Sequence, residues 1–290
     1  MKDGKLVILA GGISSRMKKP ANDITVDDKL IRDADEKSKS MIGVGKDYRP
    51  FLDYLLYNAR ESGYLEVVLV IGQNDSSIKE YYGEQESDNE FNGLIISYAI
   101  QLIPKGRAKP LGTADALLCG LKSKPGWSGS KFTVCNSDNL YSQKALTIIL
   151  NSPYIAALIE YDRSSLEFEM SRIERFAVTT KDDNGFLKDI IEKPSQDIIR
   201  KLKDKNGCIG VSMNIFSLSY DLILPILHRV PFHPLRREKE LPEAVKMLAK
   251  ELTNSVYTYP LAEHVPDLTS KSDILQVKKY LENHYASISF

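Results

Sequence analysis

"KLVILAGGISSRM", residues 5–17, carries a short apolar run straight into two glycines, two serines and an arginine. An apolar run of strand length followed by glycine reads as a buried strand that ends in a turn. Gly11 and Gly12 let the backbone turn tightly and aim successive N–H groups into one concavity, a nest that suits phosphate oxygens. Ser14 and Ser15 add hydroxyl donors, and Arg16 adds a planar fork that grips phosphate at two points. A polyphosphate is the expected ligand. The competing reading is an ordinary strand-to-helix turn with an exposed arginine. The string contains neither GxxxxGK[ST] nor GxGxxG, so it is not a Walker A loop or a dinucleotide fingerprint.

The same alternation continues outward from this loop. Residues 50–62 are periodic for a helix, with Phe51, Leu55 and Ala59 on one face, and "EVVLVIG" at 66–72 is a continuous apolar strand. Strands follow near 94–100, 131–135 and 154–159, with helices near 113–121 and 142–150. Fully apolar strands between amphipathic helices predict an α/β fold: a Rossmann-like, mostly parallel twisted sheet with helices on both faces. Ligands in such sheets bind outside the carboxyl ends of the strands. From Arg172 the pattern changes. "RFAVTT", "FLKDIIEKP" and "CIGVSMNIFSL" read as strands, with a turn at 183–185, so residues 172–217 are expected to form a small β-rich part. Helices return at 219–229 and 241–251, and a last one falls within 270–290. One catalytic domain over residues 1–290 is the expectation. The charged stretch 18–39 has few apolar residues and reads as a long mobile loop.

Composition narrows the function classes. Lysine plus arginine and aspartate plus glutamate balance at 39 each, so no global basic field draws the chain onto nucleic acid or an anionic membrane. No apolar run approaches the roughly 18 residues of a membrane span, and a cytoplasmic protein is expected. Cys119, Cys135 and Cys208 lie far apart in apolar stretches and read as buried thiols; the four histidines have no zinc spacing.

Further motifs follow the opening loop in a fixed order: "KSMIGVGKDYRPFLDYLLYNA", "KPLGTADALLCG", "VCNSDNLY", "IIEKP" and "GVSMNIF". With LAGG followed by a small residue pair and Arg-Met, the set resembles the nucleotidyltransferase superfamily, and within it the sugar-1-phosphate nucleotidylyltransferases. The likeness covers most of the chain, from Lys5 to about Val277. It implies a GT-A-like fold and a reaction in which a sugar 1-phosphate attacks the α-phosphorus of a nucleoside triphosphate, giving an NDP-sugar and pyrophosphate. The partners implied are those two substrates and Mg2+, with a homo-oligomer left open.

The resemblance carries roles onto matching positions. Leu9, Ala10, Gly11, Gly12, Ser14, Ser15 and Arg16 would hold the triphosphate. Gln101, Pro110, Gly112, Thr113 and Ala114 would meet the base. Lys39 would reach the α-phosphate, although the length of the 18–38 segment leaves Lys18, Lys19 and Lys29 open as the matching lysine. Asp138 would bind magnesium after an apolar strand; by residue type alone it could equally form a turn. Asp267, in "HVPDLTS", is the candidate second metal ligand, although the family's local pattern is not reproduced there. Glu192 and Lys193 would engage the sugar and its phosphate, with Glu160, Ser212 and Asn214 lining the acceptor pocket. The usual Asn-Ala-Gly-Ile-Tyr run is altered in "GVSMNIF". The expected catalytic set is Arg16, Lys39, Asp138 and Lys193. Rival readings are a cytidylyltransferase acting on an alcohol phosphate such as phosphocholine, and a non-catalytic nucleotide- or sugar-binding paralogue. Neither the base nor the sugar is legible.

Overall fold

The computed structural model describes residues 4–19, 26–192, 194–203, 207–288 and 290. In chain order the elements are β1 (Gly4–Leu9), α1 (Asp28–Glu36), α2 (Phe51–Glu61), β2 (Tyr64–Gly72), α3 (Ser77–Tyr82), β3 (Asn89–Phe91), β4 (Leu94–Gln101), α4 (Thr113–Lys122), β5 (Lys131–Asn136) and α5 (Gln143–Leu150). They continue as β6 (Ala156–Asp162), α6 (Met170–Ile173), β7 (Ala177–Lys181), β8 (Leu187–Ile191), α7 (Gln196–Lys201), β9 (Gly210–Ser219), α8 (Tyr220–Arg229), α9 (Leu241–Glu251), β10 (Val256–Leu261) and α10 (Ile274–Tyr285). The contacts divide the chain into two compact units, one of Met1–Pro110, Asn136–Gln143 and Pro266–Phe290, the other of Leu111–Cys135 and Lys144–Val265.

In the first unit β1, β2 and β4 run parallel, and β3 closes one edge antiparallel to β4. The apolar runs explain the parallel pairing: Leu6, Val7 and Ile8 of β1 and Val68 to Ile71 of β2 are wholly buried, as strands covered on both faces must be. Each such side chain contributes about 1.5–3 kcal/mol on burial. The first turns of α2 are locked by Asp53, whose buried carboxylate accepts from Arg49 at 2.8 Å, Tyr81 at 2.9 Å and Tyr82 at 2.6 Å.

The second unit mixes directions. β10 is parallel to β6, while β9 runs antiparallel to both β6 and β5. The β7–β8 hairpin joins through β7 to β9, so the β-rich part expected over 172–217 is present. Helices α4, α8 and α9 belong to this unit.

Two readings need correction. The 18–39 stretch is not one loop, because residues 28–36 form α1, capped by Asp27, which accepts from the Lys29 N–H at 2.9 Å. Its buried face is small, Leu30 and Ala34 with Asp33, and its hold is polar: Asp33 accepts from the Gly43 N–H at 3.2 Å, and Asp35 pairs with buried Lys271 at 2.5 Å. Composition hides such a helix. β10 was not foreseen either: "VYTYPL" carries a proline next to its last residue and alternates tyrosine with smaller residues, and its pairing with β6 is made in space.

Candidate active site

In the first unit the opening loop begins where the expectation put it. The Ala10 N–H donates to the Val70 carbonyl at 2.8 Å, and the Ser137 N–H donates to the Leu9 carbonyl at 3.2 Å, which sets the 136–143 segment beside the end of β1. The turn chemistry differs from the expectation. Neither Gly11 nor Gly12 is left-handed; Ser14 is, at φ 53°, and is buried. Gly11 is closely approached instead: a Cβ there would meet Gln101 Oε1 at 3.2 Å and the Ile71 carbonyl carbon at 3.4 Å, so a larger residue asks the Gln101 side chain to give by a few tenths of an ångström. A Cβ on Gly12 would meet nothing within 4 Å, so that stretch of backbone faces open space. Ser15 and Arg16 are exposed, Leu9, Ala10 and Gln101 are buried, and Pro110 is half-buried.

Lys39 opens a short 3-10 turn, Lys39–Met41, and its ammonium donates to Asp138 Oδ2; each side chain is 17% exposed. Burial alone would raise the Asp138 carboxyl pKa, but the Lys39 charge and hydrogen bond, with a smaller pull from Arg16, outweigh it and hold the group below its ordinary value. The glycine loop, Lys39 and Asp138 therefore share one electrostatic neighbourhood. Of the other lysines, Lys18 and Lys19 are exposed, and the Lys29 ammonium lies 3.4 Å over the Tyr48 ring. Lys39 is the one brought to Asp138.

Asp267 arrives on a neighbouring segment. The Leu268 N–H donates to the Asp138 carbonyl at 2.8 Å, the Leu140 N–H to the Pro266 carbonyl at 2.9 Å, and Asn139 and Asp267 form an antiparallel bridge. The Asp267 carboxylate accepts from the Thr269 hydroxyl. Among the described residues no three or more His, Cys, Asp or Glu side chains group as a metal cage. Magnesium does not require one, since it is commonly held by one or two carboxylates with phosphate and water completing the shell. Two hard-oxygen donors on adjacent segments fit that chemistry, with Lys39 as the counterion of Asp138 in this structure.

In the second unit Gly112 precedes α4 with φ 113° and ψ −176°, a region open essentially to glycine alone. A Cβ there would meet the Lys239 carbonyl oxygen at 2.4 Å. The turn is clasped by the chain entering α9: Lys239 N–H donates to the Leu111 carbonyl at 2.6 Å, Ala114 N–H to the Lys239 carbonyl at 3.0 Å, and Leu241 N–H to Thr113 Oγ1 at 2.9 Å.

The acceptor candidates of this unit fall into two groups. Glu192, just past β8, is 35% exposed and accepts from Arg236 at 3.3 Å. Ser212 Oγ accepts from the Asn214 N–H at 3.3 Å, and Asn214 takes φ 58° at an irregularity in the β6–β9 register. Asparagine is among the few non-glycine residues at ease there, so the altered motif can hold a left-handed residue within β9. Glu160 is different. Its carboxylate is 5% exposed, accepts from Thr179 Oγ1 at 2.6 Å and from the Lys181 ammonium, and fills the space a Cβ on Gly210 would take. Lys193 lies outside the described residues.

Sequence reasoning missed Arg236 and Lys181. Lys181 carried no signal beyond its strand. Arg236 sits in "PLRREKE", a charged run that reads by default as a solvated face, directly before the helix expected at 241–251.

A family model described as nucleotidyl transferase matches residues 5–258. The chain belongs to that family. Among curated relatives, the bifunctional protein GlmU of Geotalea uraniireducens is 24% identical over 69% of this chain and 39% of its own length. Glucose-1-phosphate adenylyltransferase 2 of Vibrio parahaemolyticus is 24% identical over 77% of this chain and 51% of its own length. The chain thus spans 39% and 51% of the length of these two relatives. A solved structure of a UTP-bound UGPase from Acinetobacter baumannii superposes with a TM-score of 0.69, 20% identity, 97% coverage of this chain and 94% of that one, which establishes the shared fold. No helix among the described residues is long and apolar enough to cross a membrane.

Proposed function

We propose that this chain transfers a nucleoside monophosphate from a nucleoside triphosphate to a sugar 1-phosphate. The observation that carries the reading is the Lys39–Asp138 pair held beside the glycine loop at the end of β1, in a member of the nucleotidyl transferase family. An oxygen of the sugar phosphate attacks the α-phosphorus. The new P–O bond forms as the α–β bridging bond breaks, and pyrophosphate leaves with the electron pair. Such a reaction asks for positioning and charge neutralisation more than for covalent help.

Arg16 and the N–H groups from Gly11 to Ser15 hold the departing β- and γ-phosphates. Lys39 offsets charge at the α-phosphate, trading one anionic partner, Asp138, for another. Asp138 and Asp267 would hold a magnesium ion, which supplies Lewis-acid charge to the phosphates when bound. Gln101 and the 112–114 turn keep, each in its own unit, the base-binding roles that the family resemblance gives them. Glu192, Lys193, Ser212 and Asn214 receive the sugar and its phosphate. Glu160 serves these from behind, as the buried counterion of Lys181. With nucleoside triphosphate as substrate, the cytoplasm is the expected place of work.

The test is pyrophosphate release with magnesium across a matrix of nucleoside triphosphates and sugar or alcohol phosphates, with UTP and glucose 1-phosphate in the first cell. Turnover with one sugar 1-phosphate supports the reading. Turnover with phosphocholine and CTP alone replaces it, and nucleotide binding without turnover in any cell refutes catalysis.

A further inference from the structure

The stretch from His233 to Leu241 is built as a rigid brace. His233 Nδ1 accepts from the Leu235 and Arg236 N–H groups, each at 3.2 Å, while its own N–H donates to the Glu238 carbonyl at 2.8 Å. The Arg237 N–H returns to the His233 carbonyl at 2.9 Å with Arg237 at φ 55°. Two residues further on, the same stretch clasps the 111–114 turn through Lys239 and Leu241. Arg236 projects from this brace between two carboxylates. Its Nη2 donates to Glu240 at 2.8 Å and to Glu192 at 3.3 Å, while Nε lies 2.7 Å from the other Glu240 oxygen as an ion pair and makes no hydrogen bond among the described residues.

We infer that Arg236 is a positioning residue that holds Glu192 to the brace clasping the Gly-Thr-Ala turn, and so sets how tightly the sugar 1-phosphate binds. The inference rests on the proposed role of Glu192 toward the sugar. Glu192 and Glu240 repel one another, and one guanidinium between them removes that repulsion while fixing the Glu192 rotamer. A lysine reproduces this poorly, because its ammonium sits on a flexible stem and lacks the planar guanidinium edge that lies along Glu240 while Nη2 reaches Glu192. The brace also explains why a contact at 3.3 Å between partly exposed groups matters: an isolated surface pair contributes little, but this arginine is already immobilised by Glu240 and the His233 turn. Because Glu192 would contact the sugar in ground and transition states alike, its displacement falls on KM and leaves kcat.

The experiment measures steady-state pyrophosphate release for Arg236→Gln, Arg236→Lys, Glu192→Gln and the Arg236→Gln/Glu192→Gln double variant, with the substrate pair that the unaltered chain turns over in the matrix. The expected result is a rise of about 10-fold in sugar-phosphate KM for Arg236→Gln, with kcat and nucleotide KM within about 2-fold. Arg236→Lys should behave like Arg236→Gln, and the double variant should be no worse than Glu192→Gln alone. Effects that multiply in the double variant would overturn the inference, since Arg236 would then act by another route. A loss of kcat at unchanged KM would overturn it too, by placing Arg236 on the reacting phosphates. Glu240→Gln, which loosens Arg236 without removing it, is expected to raise the same KM by a smaller factor, and an unchanged KM there counts against the brace. Silence of the unaltered chain across the whole matrix is a different result: it refutes the proposed function, and this inference falls with it.

Discussion

Substituting Gly112 separates two kinds of glycine requirement, because two other glycines of the same unit act as internal standards. Gly112→Ala places a side chain at φ 113°, ψ −176°, which costs about 1–3 kcal/mol for a non-glycine residue. Its Cβ would also lie 2.4 Å from the Lys239 carbonyl oxygen and 2.9 Å from the Lys239 nitrogen, so the backbone must move. That movement stretches two hydrogen bonds, Lys239 N–H to Leu111 and Ala114 N–H to Lys239, each contributing roughly 0.5–1.5 kcal/mol net. The total expected loss is about 2–6 kcal/mol, on the strain and hydrogen-bond scales together. Gly129 sits at φ 77° with nothing within 4 Å of a Cβ, so Gly129→Ala measures left-handed strain alone, about 1–2 kcal/mol. Gly126 has neither a positive φ nor a near neighbour, and Gly126→Ala should be neutral or stabilising by up to about 1 kcal/mol. The assay is urea unfolding followed by fluorescence of the single tryptophan, Trp127, which is 3% exposed in this unit. If Gly112→Ala loses no more stability than Gly129→Ala, the clasp around the 111–114 turn is not as tight as described, and the reasoning fails.

Three further outcomes follow from the site and core. Asp138→Asn and Lys39→Met are each expected to lower kcat by about 100-fold or more, as loss of one charge-stabilising group does, and near-normal turnover in either would remove that residue from the reaction. Burial and the nearby Asp53 carboxylate raise the Tyr81 phenol to about 12, and burial raises Tyr98 to about 12. Groups raised in the folded state stabilise it fully below their unfolded value near 10 and lose that contribution as pH climbs toward 12, so the urea midpoint should fall between those limits. A midpoint that is flat across that range would contradict the burial of Tyr98 and the contact of the half-exposed Tyr81 with Asp53. Lys181→Met leaves the Glu160 carboxylate, 5% exposed, without its cation and should cost about 1–3 kcal/mol, and adding Glu160→Gln should recover part of the loss. No recovery in calorimetric or urea midpoints would mean that the loss comes from packing and not from the stranded charge.

Local signals travelled furthest where neighbours in sequence are neighbours in structure. Strands β1, β2 and β4, helices α2 and α4, and the loop after β1 are legible in the string, because burial on both faces demands unbroken apolar runs and a helix face demands its own period. The "LAGG", "VCNSDN" and "LGTA" stretches likewise fall at the strand ends and the helix start where they were read, and "GVSMNIF" lies within β9. Helix α1 was not legible, because its anchors are charges: Asp33 to the Gly43 backbone and Asp35 to Lys271, 236 positions away. No periodicity records such partners.

The amino-acid sequence alone determined the α/β class, the position of the glycine loop and the residue types available for phosphate, base and metal. Tertiary structure alone decided which of them meet. Lys39 and not Lys18, Lys19 or Lys29 pairs with Asp138, across 99 positions; Glu160 turns inward to Thr179 and Lys181; and Arg236 joins Glu192 across 44 positions. The physical reason is one of range. Backbone conformation is set by contacts a few residues apart, whereas the partner of a charge is set by which strand ends and loops the packed core brings within hydrogen-bond reach.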